Sequence, residues 1–443
     1  MSFLPTRPAL PGTRRLLGVA SRVALALAFG AATIGARAAD PLTLDQALQL
    51  AGERSRQLVA DDAAASAARD MALAAGQLPD PVLKAGITNL PIDGPDRFSL
   101  TRDFMTMRSI GVMQELTRDA KRRARSARFE REAESAEASR TLALANLQRD
   151  TAVAWLDRYY EERLRDLLIG QRDEARLQIE AADAAYRGGH GSQADVFAAR
   201  GAVEQIEDRI AQVERRIATA KTMLARWVGA APAGAPLGAA PSIDSVRLSP
   251  DDLERQFAHH PEITVMVKKE AMAAAEAELA RANKKSDWSV ELMVSQRGPA
   301  YSNMVSVNVA VPLQWDQTNR QDRELAARLG AVEQMRAERE EATRGHVAEA
   351  LAMLQEWQSH RDRLTRYERS LIPLAGERTR AALAAYRGSS GPLAAVLEAR
   401  RGEIDTRMER LLLETETARL WARLNYLIPV GHGAVTAPRK DMQ

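Results

Sequence analysis

The 443-residue chain is 45% hydrophobic and 27% charged but only 5% aromatic, a composition that suits long helices packed closely on alanine and excludes a thick aromatic core. Its formal net charge is +3, yet Arg7, Arg14, Arg15, Arg22 and Arg37 all fall in the first 38 residues, which hold no acid, so the remainder carries −2 and has no basic excess for nucleic acid. There is no cysteine, which excludes a disulfide, a thiol nucleophile and an acylated N-terminal cysteine.

In chain order, residues 1–38 read as a secretory signal. A basic front precedes an apolar, alanine-rich run over residues 23–36, and Ala36-Arg37-Ala38 supplies small residues for cleavage. Beyond it no apolar run approaches the roughly 20 residues of a membrane-spanning helix. An exported chain of that kind is expected to be periplasmic, secreted or a β-barrel.

Residues 39–228 form the first of two expected repeats. Leu42-Thr43-Leu44-Asp45-Gln46 offers a hydroxyl cap with a polar residue three positions on, opening a helix over residues 43–77. Alternation predicts strands over 82–90, with Leu83, Ala85 and Ile87 on one side, and over 105–116, with Ile110 and Val112. Long helices follow over 118–186 and 192–228. In the second, Val196, Ala199, Val203, Ile206, Ile210, Val213, Ile217, Ala220, Leu224 and Trp227 step by three and four, a coiled-coil seam. Residues 229–247 are a Gly/Ala/Pro-rich linker.

The second repeat, residues 248–429, rewrites the first. Ala184-Ala185-Tyr186-Arg187-Gly188 recurs 200 residues on as Ala384-Ala385-Tyr386-Arg387-Gly388, with Gly191 as Gly391 and Val196 as Val396. Leu248-Ser249-Pro250-Asp251-Asp252 parallels the first cap. Helices are expected over 250–284, 317–387 and 392–427. Strands are expected over 288–297, where Trp288, Val290, Leu292 and Val294 share a face, and over 304–313, where Val305, Val307, Val309, Val311 and Leu313 do. Leu397, Ile404, Met408, Leu411, Thr415 and Ala418 trace a poorer seam. Gly170 and Pro373 are positions for a bend or break in the long arms. Residues 430–443 read as a flexible tail.

The expected class is mainly α with a small β part, internally duplicated. Each strand is long enough to cross a bilayer at a tilt, but the smallest membrane barrels need about eight strands, and open edges in lipid cost several kcal/mol per unpaired group. The four strands would therefore pair with copies of themselves, three protomers giving twelve; the residues alone leave two or four copies open. A soluble coiled-coil protein with a small β-domain accounts for the heptads but not for the duplication.

From Leu42 to about Pro429 the chain resembles the TolC-type outer-membrane factors of tripartite efflux systems. The most specific pieces are similar to the CzcC-like and CusC-like heavy-metal branch: Gly76-Gln77-Leu78-Pro79-Asp80-Pro81, Asn89-Leu90-Pro91, Phe104-Met105-Thr106-Met107, Gly111-Val112-Met113-Gln114-Glu115 and Lys121-Arg122-Arg123, then Val311-Pro312-Leu313-Gln314-Trp315-Asp316 and Asn319-Arg320-Gln321-Asp322-Arg323-Glu324-Leu325. The resemblance implies a homotrimer with a shared twelve-stranded barrel and a periplasmic α-helical tunnel. It implies docking to a periplasmic adaptor and, through it, to an RND pump, with passive export of divalent or heavy-metal cations. Drug efflux and type I secretion are the transport alternatives; a soluble periplasmic adaptor is the alternative of another class.

By the same resemblance the turns holding Tyr186, Arg187, Gly188, Gly191 and Ser192, and Tyr386, Arg387, Gly388 and Gly391, would meet the adaptor. These glycines also suit tight helix-to-helix turns, and Ser192 with Asp195 fits a capping box. The family's acidic constriction maps onto Asp195 and Glu398; Ala395 departs from the pattern. None of His190, His259, His260, His346, His360 and His432 sits in a metal-ligand motif. Met105 and Met107 alternate on a strand, suited to lipid or loop packing or to a soft metal ion. No P-loop, GxSxG or other enzyme motif occurs, and no cofactor or resident metal is expected.

Overall fold

The computed structural model describes residues 40–248, 260–388 and 390–430. The signal-like segment, the Ser249-Pro250 start of the second repeat and the tail after Val430 lie outside the described residues. Helix α1 (Leu44–Arg54) opens on the reciprocal cap expected at Thr43: its side chain accepts from Gln46 N, and Gln46 accepts from Thr43 N. The single helix expected over 43–77 is two. Ser55 is extended and its hydroxyl accepts from Leu58 N, which ends α1 and caps α2 (Arg56–Ala75).

Strands β1 (Val82–Thr88) and β2 (Met107–Leu116) lead into α3 (Asp119–Arg187), α4 (Gln193–Val228) and the short α5 (Ala230–Gly234). The second repeat supplies α6 (Pro261–Asn283), β3 (Trp288–Gln296), β4 (Met304–Ala310) and α7 (Gln321–Arg366). A π turn over Tyr367–Leu371 joins α7 to α8 (Ile372–Arg387), and α9 (Leu393–Asn425) follows. Helix α3 is 69 residues long, roughly 100 Å at 1.5 Å per residue. It runs unbroken through Gly170, because Leu168 and Gln171 on either side are buried and a lone helical glycine costs only about 1 kcal/mol. The arm containing Pro373 is interrupted. Proline lacks the N–H of a regular turn, and the helix widens into the π turn and restarts with Pro373 in its first turn.

The four strands form one antiparallel sheet in the order β1-β2-β3-β4, with β2 and β3 joining the two repeats. All four strands are shorter than expected, β1 ending at Thr88 and β3 at Gln296, and for β2 and β4 the local reason is plain. Strand β2 starts at Met107 because Asp103 Oδ1 accepts from Met105 N and Thr106 N, while Thr106 Oγ1 donates to Asn89 O. Strand β4 ends at Ala310, opposite Ser289; Pro312 has no N–H for a ladder.

The core sits among the helices. Trp155, Leu156, Leu164 and Leu168 of α3 pack with the seam of α4 and with Ile404, Leu411 and Ala418 of α9. The inter-repeat linker is clamped onto this bundle. The Arg158 guanidinium donates to Ala233 O and Ala235 O at 2.8 and 2.7 Å and Trp421 Nε1 to Ser245 O at 3.0 Å, while Trp155 Nε1 donates at 3.0 Å to O of Leu42, which precedes α1 and bridges Leu237 of the linker. Because Trp155 is fully buried, Trp155→Ala is expected to destabilise the folded body by about 3–5 kcal/mol, read as a lowered midpoint in thermal or denaturant unfolding followed by circular dichroism.

Candidate functional site

The sheet has two chemically opposite faces. Register places Leu83 opposite Val112 and Ala85 opposite Ile110; Ile110 then faces Val294, Val112 faces Leu292, and Leu292 faces Val307. These side chains share one face, and Leu83, Ile87, Ile110, Val112, Leu292, Val294, Val305, Val307 and Val309 are all exposed on it. The other face carries Lys84, Ser109, Glu291, Ser295, Ser306 and Asn308. There Lys84 Nζ pairs with Glu291 at 3.1 Å, and the Ser109 and Ser295 hydroxyls bond at 3.0 Å. The four strand methionines, Met107, Met113, Met293 and Met304, fall on this polar face by the same register. Gly111 is also on it, where a Cβ would lie 2.6 Å from Leu292 O, so only glycine lets β2 and β3 approach. Within the chain β1 and β4 each pair on one side only. Among the described residues no helix is long and apolar enough to cross a membrane.

The two turns lie one α3 length from the sheet, and a small cluster packs them together: Ala182, Val196 and Ala199 against Leu393 and Val396. Gly188 and Gly388 are ordinary right-handed helix ends. The left-handed residue of the first turn is Gly189, at φ +76°. Gly191 and Gly391 serve close approach, since a Cβ would meet Ala185 Cβ at 3.2 Å and Ala385 Cβ at 3.1 Å. Tyr186 is exposed, and Arg187 pairs with Asp183 at 2.9 Å; Tyr386 leans on the tip cluster, and Arg387 ends α8 exposed. The Ser192–Asp195 box forms: Asp195 Oδ2 accepts from Ser192 N and Oγ, and the backbone bond chiefly holds its carboxyl below the usual range. Pro392 takes the place of Ser192 in the second turn and caps nothing with its side chain.

Glu398 is exposed but not solitary: Arg378 Nη2 donates to it at 2.9 Å. A charge network that the sequence reading missed lies deeper in α9. Glu403 is buried between Arg407 at 2.8 Å and Arg400 at 3.3 Å, and Arg400 reaches Glu174 of α3 at 2.7 Å. The spacing of Arg400, Glu403 and Arg407 by three and four was the legible signal for it. Arg209 of α4 pairs with Asp405 at 2.9 Å.

A cavity of about 840 Å³ opens beside α3, lined by Val153, Asp157, Glu161, Arg216, His260 and His346 among others. It brings together two histidines far apart in sequence, with rings stacked at 5.3 Å and His346 Nε2 lying 3.2 Å from Glu262. Among the described residues no group of three or more His, Asp or Glu side chains is placed to hold a metal ion.

No family model and no curated relative matches the chain by sequence. Solved structures match it by shape. The outer-membrane channel OprN superposes with a TM-score of 0.73 at 15% identity, over 88% of this chain and 90% of that one. The outer membrane protein VceC of Vibrio cholerae gives 0.73 at 17%, over 88% and 96%. CusC, described in terms of transmembrane channel formation, gives 0.71 at 16%, over 88% and 92%. The chain has the fold of these outer-membrane channels.

Burial, then the nearby His346, pushes the His260 imidazole down to about 4 from the ordinary 6.5. The unfolded chain therefore binds the extra proton between those values, so stability is complete above about pH 6.5 and is lost as pH falls toward 4, by up to about 3 kcal/mol. Melting measured across that window is expected to show this loss, and His260→Gln is expected to flatten the slope.

Proposed function

We propose that the chain is the outer-membrane channel of a tripartite efflux system, exporting substrate passively from periplasm to exterior. The observation that carries this reading is the exposed apolar face of a four-stranded sheet whose two edges are unpaired within the chain. In water such a face and such edges are a liability; in a bilayer the face matches the hydrocarbon, and the edges must find partners. Three copies supplying four strands each make a closed twelve-stranded barrel with the polar face inward. The fold shared with OprN, VceC and CusC supports the same assembly.

In this reading residues 1–38 are the export signal, residues 39–228 and 248–429 are the repeats, and the long hairpins form the periplasmic conduit. The tips at 186–192 and 386–392 meet a periplasmic adaptor, and through it an inner-membrane RND pump. Asp195 and Glu398 are the proposed acidic constriction. The Arg378 partner of Glu398 means that Glu398 adds negative potential only when that pair opens. Heavy-metal cations are the proposed cargo, on the CzcC-like and CusC-like sequence pieces; drugs are the second cargo class. The chain carries out no chemistry of its own.

Two measurements test this. Leu292→Lys puts a charge at the centre of the apolar face and is expected to cost about 2–4 kcal/mol, abolishing detergent-extractable trimer in outer-membrane fractions, whereas Ser306→Lys on the polar face is tolerated. A soluble monomeric wild type would end the channel reading. Deleting the gene and scoring growth on zinc, cadmium, cobalt, nickel, copper, silver and drugs decides the cargo: sensitivity to metals alone is expected, and sensitivity to drugs alone would replace metals with drugs.

A further inference from the structure

Where the sheet meets the helices, three chain segments run side by side and are stitched into one collar. Arg118 donates from its backbone N to Asp287 Oδ1 at 3.0 Å and from Nε to Ser286 O at 2.8 Å. Lys121 Nζ reaches Asp287 Oδ2 at 2.6 Å, and Ser286 Oγ donates to Pro312 O at 2.5 Å. Gln314 and Gln317 donate to Asn283 O and Lys284 O, both at 3.1 Å. The collar is therefore a fixed surface rather than three loose connections.

Its apolar side continues the exposed face of the sheet. Leu116 and Trp288 are register partners at the helix end of β2 and β3, and both are exposed. Beyond β4 the odd-numbered alternation runs on through Val311, Leu313 and Trp315. Leu313 is 64% exposed and Trp315 88%, the largest exposure among the exposed large apolar side chains. An indole that bare, next to an apolar strand face, suits the boundary of hydrocarbon and headgroups.

The charge of the collar points the same way. Asp287 holds Lys121, Asp322 holds Lys284 at 2.6 Å and Asp119 holds Arg122 and Arg123, whereas Asp316 accepts only from the neutral Asn319 amide and Glu324 is exposed with no ion pair among the described residues; over residues 116–123, 283–288 and 311–324 eight cations still face five acids. Lys285, Arg320 and Arg323 are exposed, and no carboxylate among the described residues lies within 4 Å of their cationic atoms. Three cations without an ion-pair partner among the described residues thus stand within a few residues of two exposed tryptophans.

We propose that this collar is a docking surface for anionic phospholipid. The acyl chains lie on the strand face, the glycerol region meets Trp288 and Trp315, and the phosphates are held by Lys285, Arg320 and Arg323. Charge complementarity and continuity with the apolar face select a lipid over a soluble anion, which would have no use for the tryptophans. The proposal rests on the membrane reading above and adds a headgroup preference that an apolar face alone does not give.

The test uses the full-length assembled protein in nanodiscs of phosphatidylcholine alone and of an equimolar phosphatidylcholine–phosphatidylglycerol mixture. Melting temperature and co-retained lipid, by native mass spectrometry, are read in both. The wild type is expected to melt higher in the anionic discs and to retain phosphatidylglycerol preferentially. K285Q/R320Q/R323Q should lose that preference, by roughly fivefold for each cation removed, with an unchanged melt in phosphatidylcholine. K285R/R320K/R323K should keep it. Insertion into both discs with no preference in the wild type, or an equal preference in the glutamine variant, overturns the proposal and leaves the channel reading standing. Failure to insert into either disc overturns both.

Discussion

Everything in this molecule is arranged around a sheet that is unfinished within one chain. Four strands leave two edges of unpaired backbone N–H and C=O groups, and one broad face of Val, Leu and Ile is exposed. Each unpaired group taken out of water costs several kcal/mol, so neither a lone chain in lipid nor a lone chain in water is a comfortable resting state. The pairing of β2 with β3 halves the problem by fusing the two repeats, and Gly111 is the residue that permits it. The remaining edges, β1 and β4, stay unpaired within the chain.

The helices answer a different demand. Strands a few residues long are connected to arms of up to 69 residues, whose stability comes from burial along narrow seams rather than from a globular centre. The linker matters because it ties α3 to α9: the buried Arg158 and the Trp421 indole N–H satisfy its carbonyls, and the Trp155 indole holds Leu42, which bridges Leu237 of the linker. Elsewhere along α3, charged side chains and the stacked histidines line a cavity.

Toward the tips the balance shifts from apolar packing to ion pairs. The cluster of Ala182, Val196, Ala199, Leu393 and Val396 is small, and the two hairpins are otherwise joined by Arg209–Asp405 and Arg400–Glu174. Partly exposed pairs contribute little individually, which makes this end the easier one to rearrange. Glu403, buried between two arginines, is the exception, because removing either partner strands a buried charge.

The sequence by itself determined the order of the elements, most of their ends, the duplication and the two faces of each strand. These follow from local periodicity: two residues along a strand, three and four along a helix seam, and a hydroxyl at Thr43 or Ser192 facing its own backbone. It did not determine the break at Ser55, the left-handed residue at Gly189 or the π turn ahead of Pro373, where competing local hydrogen bonds decide among near-equal conformers. Only the tertiary structure decided which charges are free. Glu398 read as an open acid until Arg378, twenty residues away across a turn, was found against it. Lone histidines became a stacked pair only once α6 and α7 packed. Spacing along a chain fixes what one element presents, but a partner from another element is chosen by packing, and no local period encodes that.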